Sequence, residues 1–219
     1  MKKLVTIKEI AKLANVSRTT VSRVLNNSGY VSDEARARVL KVIEETGYVP
    51  SHQAKSLRTK QTKVIGVILP KISTETSSRV VMGMDEVFSE KGYQILLSNT
   101  NLQREKEIEF LNLLKSRRVD GIILLATNIH EHLVKEIEHI DIPFVAVGQE
   151  IPHCSYVVHD DYNAAKTITN QLIERGRKKI AFIGVYESDY SVGVLRKRGY
   201  FDALKENGLP IQPSYIAIR

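Results

Sequence analysis

The stretch VTIKEIAKLANVSRTTVSRVLNNSGYVSDEARARVL, residues 5–40, predicts three short helices in close succession. Thr6 stands three positions before Glu9, which is the spacing of a capping box at a helix N-terminus. Ser17 and Ser32 stand where they can cap a second and a third helix. Each helix carries apolar residues every three or four positions, so all three can share one core.

The first two helices are joined by the short turn Asn15–Val16, and this arrangement is a helix-turn-helix. In that motif the second helix enters the DNA major groove with its N-terminal residues at the base edges. Arginine can bond guanine in bidentate fashion, and helix N-termini are suited to phosphate groups. The alternative is an ordinary three-helix core with exposed arginines. The residues that the motif directs to DNA are Arg18, Thr19, Thr20 and Arg23, with Thr6, Ser17 and Ser32 at the helix N-termini.

The positive charge of the chain is concentrated in its first part. Residues 1–60 hold 12 Lys or Arg against 5 Asp or Glu, which equals the net charge of +7 of all 219 residues. The rest of the chain is therefore neutral. A small basic module joined to a neutral one indicates binding to nucleic acid, because each neutralised phosphate releases counterions. The alternative is a basic N-terminal part that only aids solubility.

A linker follows Pro50. Residues 51–58, SHQAKSLR, predict a helix of about two turns, which is too short to persist in water without a partner surface. Leu57 is its one large apolar side chain. A lone exposed leucine is common, and the alternative is a wedge between base steps in a DNA minor groove.

An alternating pattern of strands and helices begins at residue 64 and predicts a parallel sheet covered on both faces. The predicted strands are Val64–Leu69, Ile95–Leu97, Gly121–Leu125, Phe144–Val147 and Ile180–Gly184. The predicted helices are Ser78–Lys91, Arg104–Ser116, Glu131–Ile140 and Asn163–Arg175.

Ligands of such sheets bind outside the carboxyl ends of the strands. The segments that follow the strands are therefore the predicted lining of a ligand site. Ser73 and Thr76 are the effector contacts expected in the first of them. The lining segments are Lys71–Thr76, Thr100–Leu102, Ala126–Asn128, Gly148–Glu150 and Tyr186–Ser191.

No catalytic constellation is visible in this body. The GxGxxG, P-loop and GxSxG motifs are missing, so we expect neither an enzyme nor a cofactor. His130 and His132 lack the HExxH spacing of a metal site, and Cys154 has no base nearby in sequence. Asp160 and Asp161 are read either as a carboxylate dyad or, preferably, as a helix start at which Asp161 is the cap. One cysteine excludes an intrachain disulfide.

Taken together, these stretches resemble the LacI/GalR family of bacterial transcription regulators. The match runs from about Val5 to about Gly208, and its third and fourth blocks look closest to Gram-positive sugar and catabolite regulators. After residues 5–40, the matching blocks are GYVP, QAKSLRTKQTKVIGVILP, KGYQILLSNTNLQREKEIEFLNLLKSRRVDGIILL, HDDYNAAKTITNQLIERGRKKIAFIG and LRKRGYFDAL.

The resemblance implies roles for individual residues. Arg18 and Thr19 match the pair that selects operator bases, and Arg23 matches a further DNA contact. Asn26 and Tyr48 match positions near the phosphate backbone or in the core of the head. Residues 51–58 match the hinge helix, in which Leu57 is the wedge and Ala54 and Arg58 face the minor groove. Asp161 and Arg196 match acidic and basic effector contacts, Arg196 within the R-x-x-G pattern at residues 196–199; the alternative for Arg196 is an exposed helix arginine.

The resemblance also implies the architecture: an all-α helix-turn-helix head and an α/β body like the periplasmic sugar-binding proteins. We expect a head at residues 1–48, a hinge and linker at 49–62, a first subdomain at 63–160 and a partial second subdomain at 161–219. Family members continue beyond the position of Arg219. A partial sequence, a truncated gene product and a pseudogene remnant each fit that difference.

The expected function is that of a dimeric repressor of a carbohydrate-utilisation operon. It would bind a palindromic operator in double-stranded DNA and respond to a small effector such as a sugar or sugar phosphate. No apolar run approaches the roughly 18 residues of a membrane span, so a cytoplasmic protein is expected. The alternatives are a sugar-binding module without specific DNA recognition and an α/β enzyme fused to a DNA-binding head.

Overall fold

A computed structural model describes residues 5–49 and 61–219. The chain divides into two compact units, residues 1–62 and residues 63–219. Within the described part, no helix combines the length and apolar character needed to cross a membrane.

In the described residues of the first unit, the chain forms α1 (Ile7–Leu13), α2 (Arg18–Leu25) and α3 (Asp33–Thr46). The predicted capping box is confirmed. The Thr6 hydroxyl accepts the Glu9 N–H at 3.3 Å, and the Glu9 carboxylate accepts the Thr6 N–H at 2.8 Å. Ser17 and Ser32 cap α2 and α3 as predicted. Each helix therefore begins at the residue after its polar cap, since the cap satisfies an otherwise unpaired N–H.

The core of the first unit is shared by all three helices. Ile10 of α1, Val21 of α2 and Val39 of α3 are completely buried. The turn between α1 and α2 places Asn15 at a φ of 51°, a left-handed conformation that asparagine tolerates. Arg38 of α3 donates from Nε to the Ala14 carbonyl at 3.2 Å and so ties α3 to the end of α1.

The second unit is built on a five-stranded, entirely parallel sheet. Its spatial order is β2-β1-β3-β4-β5. The strands are β1 (Val64–Leu69), β2 (Gln94–Asn99), β3 (Gly121–Leu125), β4 (Phe144–Val147) and β5 (Ser155–Val157). The helices between them are α4 (Glu75–Glu90), α5 (Arg104–Ser116) and α6 (Glu131–Glu138).

Both faces of this sheet are covered, as predicted. On one face Ile68, Ile122 and Leu124 pack with Leu114 of α5 and Leu133 of α6. The other face carries a second cluster, in which side chains of the sheet pack against α4; its members include Val67, Leu69, Leu125, Val80, Val81 and Met84. Continuous apolar strands arise because alternate residues of one strand enter different cores.

A smaller part of the second unit follows. It contains α7 (Asp161–Glu174), β6 (Phe182–Gly184), a π-helical segment (Tyr190–Leu195), α8 (Arg196–Glu206), a short 3₁₀ turn (Pro213–Tyr215) and β7 (Ile216–Ile218). Strands β6 and β7 pair in parallel. A separate apolar cluster lies here, including Ile180, Tyr200 and Leu204.

Several predicted boundaries were wrong by a few residues. The helix predicted from Ser78 begins at Glu75, because the Thr74 hydroxyl accepts the Ser77 N–H at 3.2 Å. The helix predicted from Asn163 begins at Asp161. Strand β5 was not predicted, since its three residues are all exposed and present no apolar run.

We expect Ile10→Ala to destabilise the first unit by about 2–5 kcal/mol, the range for removing buried aliphatic groups. Leu13→Ala on the same helix is the control, because Leu13 is 62% exposed. Hydrogen exchange of the full chain under increasing urea would measure both. Ile10→Ala should lower protection in residues 7–46 and leave residues 63–219 unchanged. Equal effects of the two variants would contradict the assignment of Ile10 to the core.

Candidate nucleic-acid interface and effector cleft

The N-terminal end of α2 presents polar side chains to solvent. Ser17 accepts the Thr20 N–H at 3.0 Å, and the two hydroxyls share a further hydrogen bond of 2.9 Å. Thr20 is half-buried and engaged in this cap, whereas Arg18 and Thr19 are exposed. The cap thus fixes the first turn while leaving the next two side chains available for contacts.

The C-terminal end of α2 carries the other predicted contacts. Arg23 is exposed, and a Cβ added at Gly29 would lie 3.4 Å from its Nε, so the arginine lies against the following loop. Asn26 donates from Nδ2 to the Ser22 carbonyl at 2.6 Å and so closes the helix end. Tyr48 packs against the core of the first unit.

The N-termini of α1, α2 and α3 differ in charge. The first turn of α1 contains Glu9, and that of α3 contains Asp33 and Glu34. The first turn of α2 contains no acidic residue. A helix N-terminus carries partial positive charge that nearby carboxylates neutralise. The N-terminus of α2 therefore offers the strongest attraction to an anion such as a phosphate group.

The predicted hinge residues Ala54, Leu57 and Arg58 lie outside the described residues. The same holds for the whole predicted helix at residues 51–58.

The predicted effector contacts Asp161 and Arg196 are brought together. Arg196 donates from Nε to Oδ1 of Asp161 at 2.5 Å. The Asp161 side chain is 6% exposed, while 47% of the Arg196 side chain is exposed. Both line a cavity of about 620 Å³ whose other walls are largely apolar, including Ile168, Ile180 and Phe182. An arginine paired with a buried carboxylate next to a cavity is suited to binding a polar ligand.

The prediction that Asp161 caps the following helix was wrong. The cap is Asp160, whose Oδ1 accepts the Asn163 N–H at 3.1 Å and whose Oδ2 accepts Asn163 Nδ2 at 2.7 Å. These hydrogen bonds lower the pKa of Asp160. With the cap provided by its neighbour, Asp161 is the first helical residue and turns inward to Arg196.

Gly199 explains the R-x-x-G pattern physically. A Cβ at this position would lie 2.3 Å from the Tyr162 carbonyl oxygen and 3.0 Å from the Lys166 nitrogen. Helix α8 therefore approaches the backbone of α7 at a distance that only glycine allows. The approach is reinforced by Lys166 and Glu206, paired at 2.7 Å. This packing brings Arg196, one turn earlier on α8, to Asp161 at the start of α7.

Ser73 and Thr76 lie beside the carboxyl end of β1, at the start of α4, and both are exposed. The helix cap between them is Thr74, which also donates to the Ser77 hydroxyl at 2.8 Å. No described hydrogen bond or ion pair links Ser73 or Thr76 to Asp161 or Arg196.

Several polar residues that were not singled out from the sequence are buried near the strand ends. Gln149, Asn128 and Ser191 are each under 10% exposed. In the described part of the chain, the buried Oδ1 atoms of Asn99 and Asn128 have no hydrogen-bond partner. Asn128 and Gln149 lay inside predicted lining segments, but nothing in the sequence distinguished a buried amide from an exposed one.

The surroundings of His130 and Cys154 are those of residues with structural roles. His130 caps α6 by accepting the Leu133 N–H at Nδ1, and its Nε2 lies 3.2 Å from the Glu107 carboxylate. Burial raises the pKa of Glu107 and that of the Cys154 thiol, which disfavours a thiolate. Among the described residues, no three His, Cys, Asp or Glu side chains are grouped to hold a metal ion.

Two families match the chain. Residues 6–51 match the family described as bacterial regulatory proteins, lacI family. Residues 62–218 match the periplasmic binding proteins and sugar binding domain of LacI family.

Individual relatives show the same relationship. The chain is 37% identical over 207 residues to the sucrose operon repressor of Staphylococcus xylosus, covering 94% of this chain and 64% of that protein. It is 36% identical over 217 residues to catabolite control protein A of Priestia megaterium, covering 97% and 64%. The chain thus spans just under two thirds of the length of these relatives.

Solved structures show the fold. A LacI-family transcriptional regulator from Silicibacter pomeroyi superimposes with a TM-score of 0.77 at 28% identity, covering 98% of this chain and 64% of that one. The complex of the transcriptional regulator CelR with cellobiose gives a TM-score of 0.63 at 27% identity, covering 98% and 65%.

We expect Gly199→Ala to destabilise the second unit by about 1–3 kcal/mol, the usual cost of overpacking, because a carbonyl oxygen cannot move aside. Gly83→Ala is the control. Gly83 lies in α4 with nothing within 4 Å of its Cβ position, so alanine should stabilise that helix by about 0.5–1 kcal/mol. Thermal unfolding would measure both, and stabilisation by Gly199→Ala would contradict the close approach of α7 and α8.

Proposed function

The chain belongs to the LacI family of bacterial regulatory proteins, and from that premise we propose that it is a sequence-specific, DNA-binding repressor of a carbohydrate-utilisation operon. Its operator is a palindrome in double-stranded DNA, and its effector is a sugar or sugar phosphate. It acts in the cytoplasm, where the DNA is. Relatives named as an operon repressor, as a transcriptional regulator and as a catabolite control protein support this proposal, and none of these names is that of an enzyme.

One observation carries the DNA-binding proposal: the first turn of helix α2 is capped, contains no acidic residue and presents exposed Arg18 and Thr19. The caps of α1 and α3 stand beside carboxylates, so Thr6 and Ser32 approach phosphates less favourably than Ser17 does. We assign base contacts to Arg18 and Thr19. Arg23 and Asn26 are assigned contacts at the other end of the helix, and Thr20 supports the cap.

The effector proposal rests on the pair of Asp161 and Arg196. A carboxylate and a guanidinium at the edge of a largely apolar cavity can bind the hydroxyl groups of a sugar, and the arginine can also bind a phosphate. Ser73 and Thr76 are proposed as contacts from the other side of the ligand. The relative whose structure contains cellobiose supports a carbohydrate ligand.

Control of DNA binding is proposed to pass through residues 49–62, between the head at 1–48 and the subdomains at 63–160 and 161–219. In a symmetric dimer, two heads reach the two halves of a palindrome. An effector acts by binding one arrangement of the subdomains better than the other. The hinge residues Ala54, Leu57 and Arg58 are proposed to contact the minor groove in the arrangement that binds DNA.

Arg18→Ala should relax base preference at one operator position by about 1–3 kcal/mol, because a bidentate arginine–guanine contact is lost. Lys41→Ala removes the same charge from α3, where Lys41 is exposed and paired loosely with Glu45 at 3.9 Å. Selection from randomised palindromes at fixed salt would measure both. If neither the parent nor Lys41→Ala selects a palindrome, the chain does not recognise a specific DNA sequence.

Asp161→Asn should abolish the stabilisation of the chain by its effector. A ligand at 100 times its dissociation constant stabilises by about 2.7 kcal/mol, which thermal unfolding detects. Cellobiose, sucrose, glucose 6-phosphate and fructose 1,6-bisphosphate would be tested. Asp160→Asn is the control, since asparagine also caps helices. An identical ligand response in both variants would contradict the assignment of Asp161.

A further inference from the structure

A buried amide joins the two parts of the second unit. Gln149, in the connection after β4, is 1% exposed. Its Nε2 donates to Oδ1 of Asp189 at 2.7 Å, and its Oε1 accepts from the Ser191 hydroxyl at 3.1 Å. Asp189 and Ser191 belong to the segment that follows β6. Both ends of the amide are therefore occupied by residues about 40 positions away in the sequence.

The segment that contains Asp189 and Ser191 is held by further hydrogen bonds of its own. Asp189 is the cap of the π-helical segment, because its Oδ1 also accepts the Val192 N–H at 3.1 Å. Within the segment, Gly193 is buried, and a Cβ there would lie 2.4 Å from the Tyr186 carbonyl oxygen. The segment continues without interruption into α8, which begins at Arg196. Asp189 and Arg196 are therefore joined by continuous helical backbone of about two turns.

The electrostatics of Asp189 depend on the same contact. Burial raises the pKa of Asp189, and hydrogen bonds from the Val192 N–H and from Gln149 oppose that rise. Asp161 disfavours the charge on Asp189, and Arg196 favours it. The group is therefore sensitive to the presence of Gln149 and to the ion pair of the proposed effector site.

We propose that Gln149 is a latch that holds the β1–β5 part and the β6–β7 part of the second unit together, and that effector binding at Arg196 acts on this latch through residues 189–196. Gln149 is a positioning residue in this mechanism and does not contact the ligand. The regulatory consequence rests on the proposed function, whereas the latch itself does not. A buried amide that loses its partners must find new ones or become hydrated, so the two parts separate at a cost.

The test is hydrogen exchange of the full chain without any ligand or DNA. Gln149→Glu places a carboxylate against Asp189, and the repulsion should speed exchange in residues 190–195 at least about tenfold. The double variant Gln149→Glu with Asp189→Asn restores a donor opposite an acceptor. Its exchange should return to within about threefold of the parent, because the contact is re-formed with its polarity reversed.

Thr169→Val is the matched control for losing a buried hydrogen bond in the same part of the chain. The Thr169 hydroxyl donates to the Ala165 carbonyl at 2.7 Å inside α7 and does not bridge the two parts. It should leave exchange in residues 190–195 unchanged. The latch is refuted if Gln149→Glu behaves like Thr169→Val, or if the double variant exchanges as fast as Gln149→Glu. Neither result depends on whether the chain binds an operator.

Discussion

The side-chain cap is the interaction on which the functional geometry of this chain depends. A hydroxyl or carboxylate that accepts a backbone N–H fixes which residue begins a helix, and the next side chains are aimed accordingly. Ser17 does this for Arg18 and Thr19, and Asp160 does it for Asp161. Asp189 caps the segment that leads to Arg196. Arg18, Thr19 and Asp161 follow their caps directly, and Arg196 follows its cap by about two helical turns.

Charge separates the two units as clearly as the fold does. The excess of basic residues lies in the first 60 positions, while the sheet-forming unit is balanced. Within the first unit, the carboxylates at the starts of α1 and α3 leave α2 as the most electropositive helix end. A neutral body with an internally paired carboxylate and guanidinium fits a role in binding small polar molecules. Charge therefore distinguishes the two units from each other, and it also distinguishes the N-terminus of α2 from those of α1 and α3.

Much of the fold could be predicted from the sequence, because caps and apolar runs are local signals. The strands Val64–Leu69, Gly121–Leu125 and Phe144–Val147 and the helix Arg104–Ser116 were predicted with the bounds observed. The α/β class, the parallel sheet and the family resemblance are confirmed. Two adjacent aspartates are equally good caps, so the sequence could not distinguish Asp160 from Asp161. The contacts of Gln149 join residues 40 apart, and no periodicity reports such a pairing.

The absence of a side chain at Gly199 has a mechanical consequence. At Gly199 the backbones of α7 and α8 meet directly, with no side chain of α8 between them at that point. Helices that meet in this way resist sliding along each other, in contrast to helices separated by flexible leucines or methionines. The pair α7 and α8 is therefore suited to turn as one stiff lever, with Asp161 and Arg196 fixed at one end of it. A displacement at that end would therefore tend to move the two helices together.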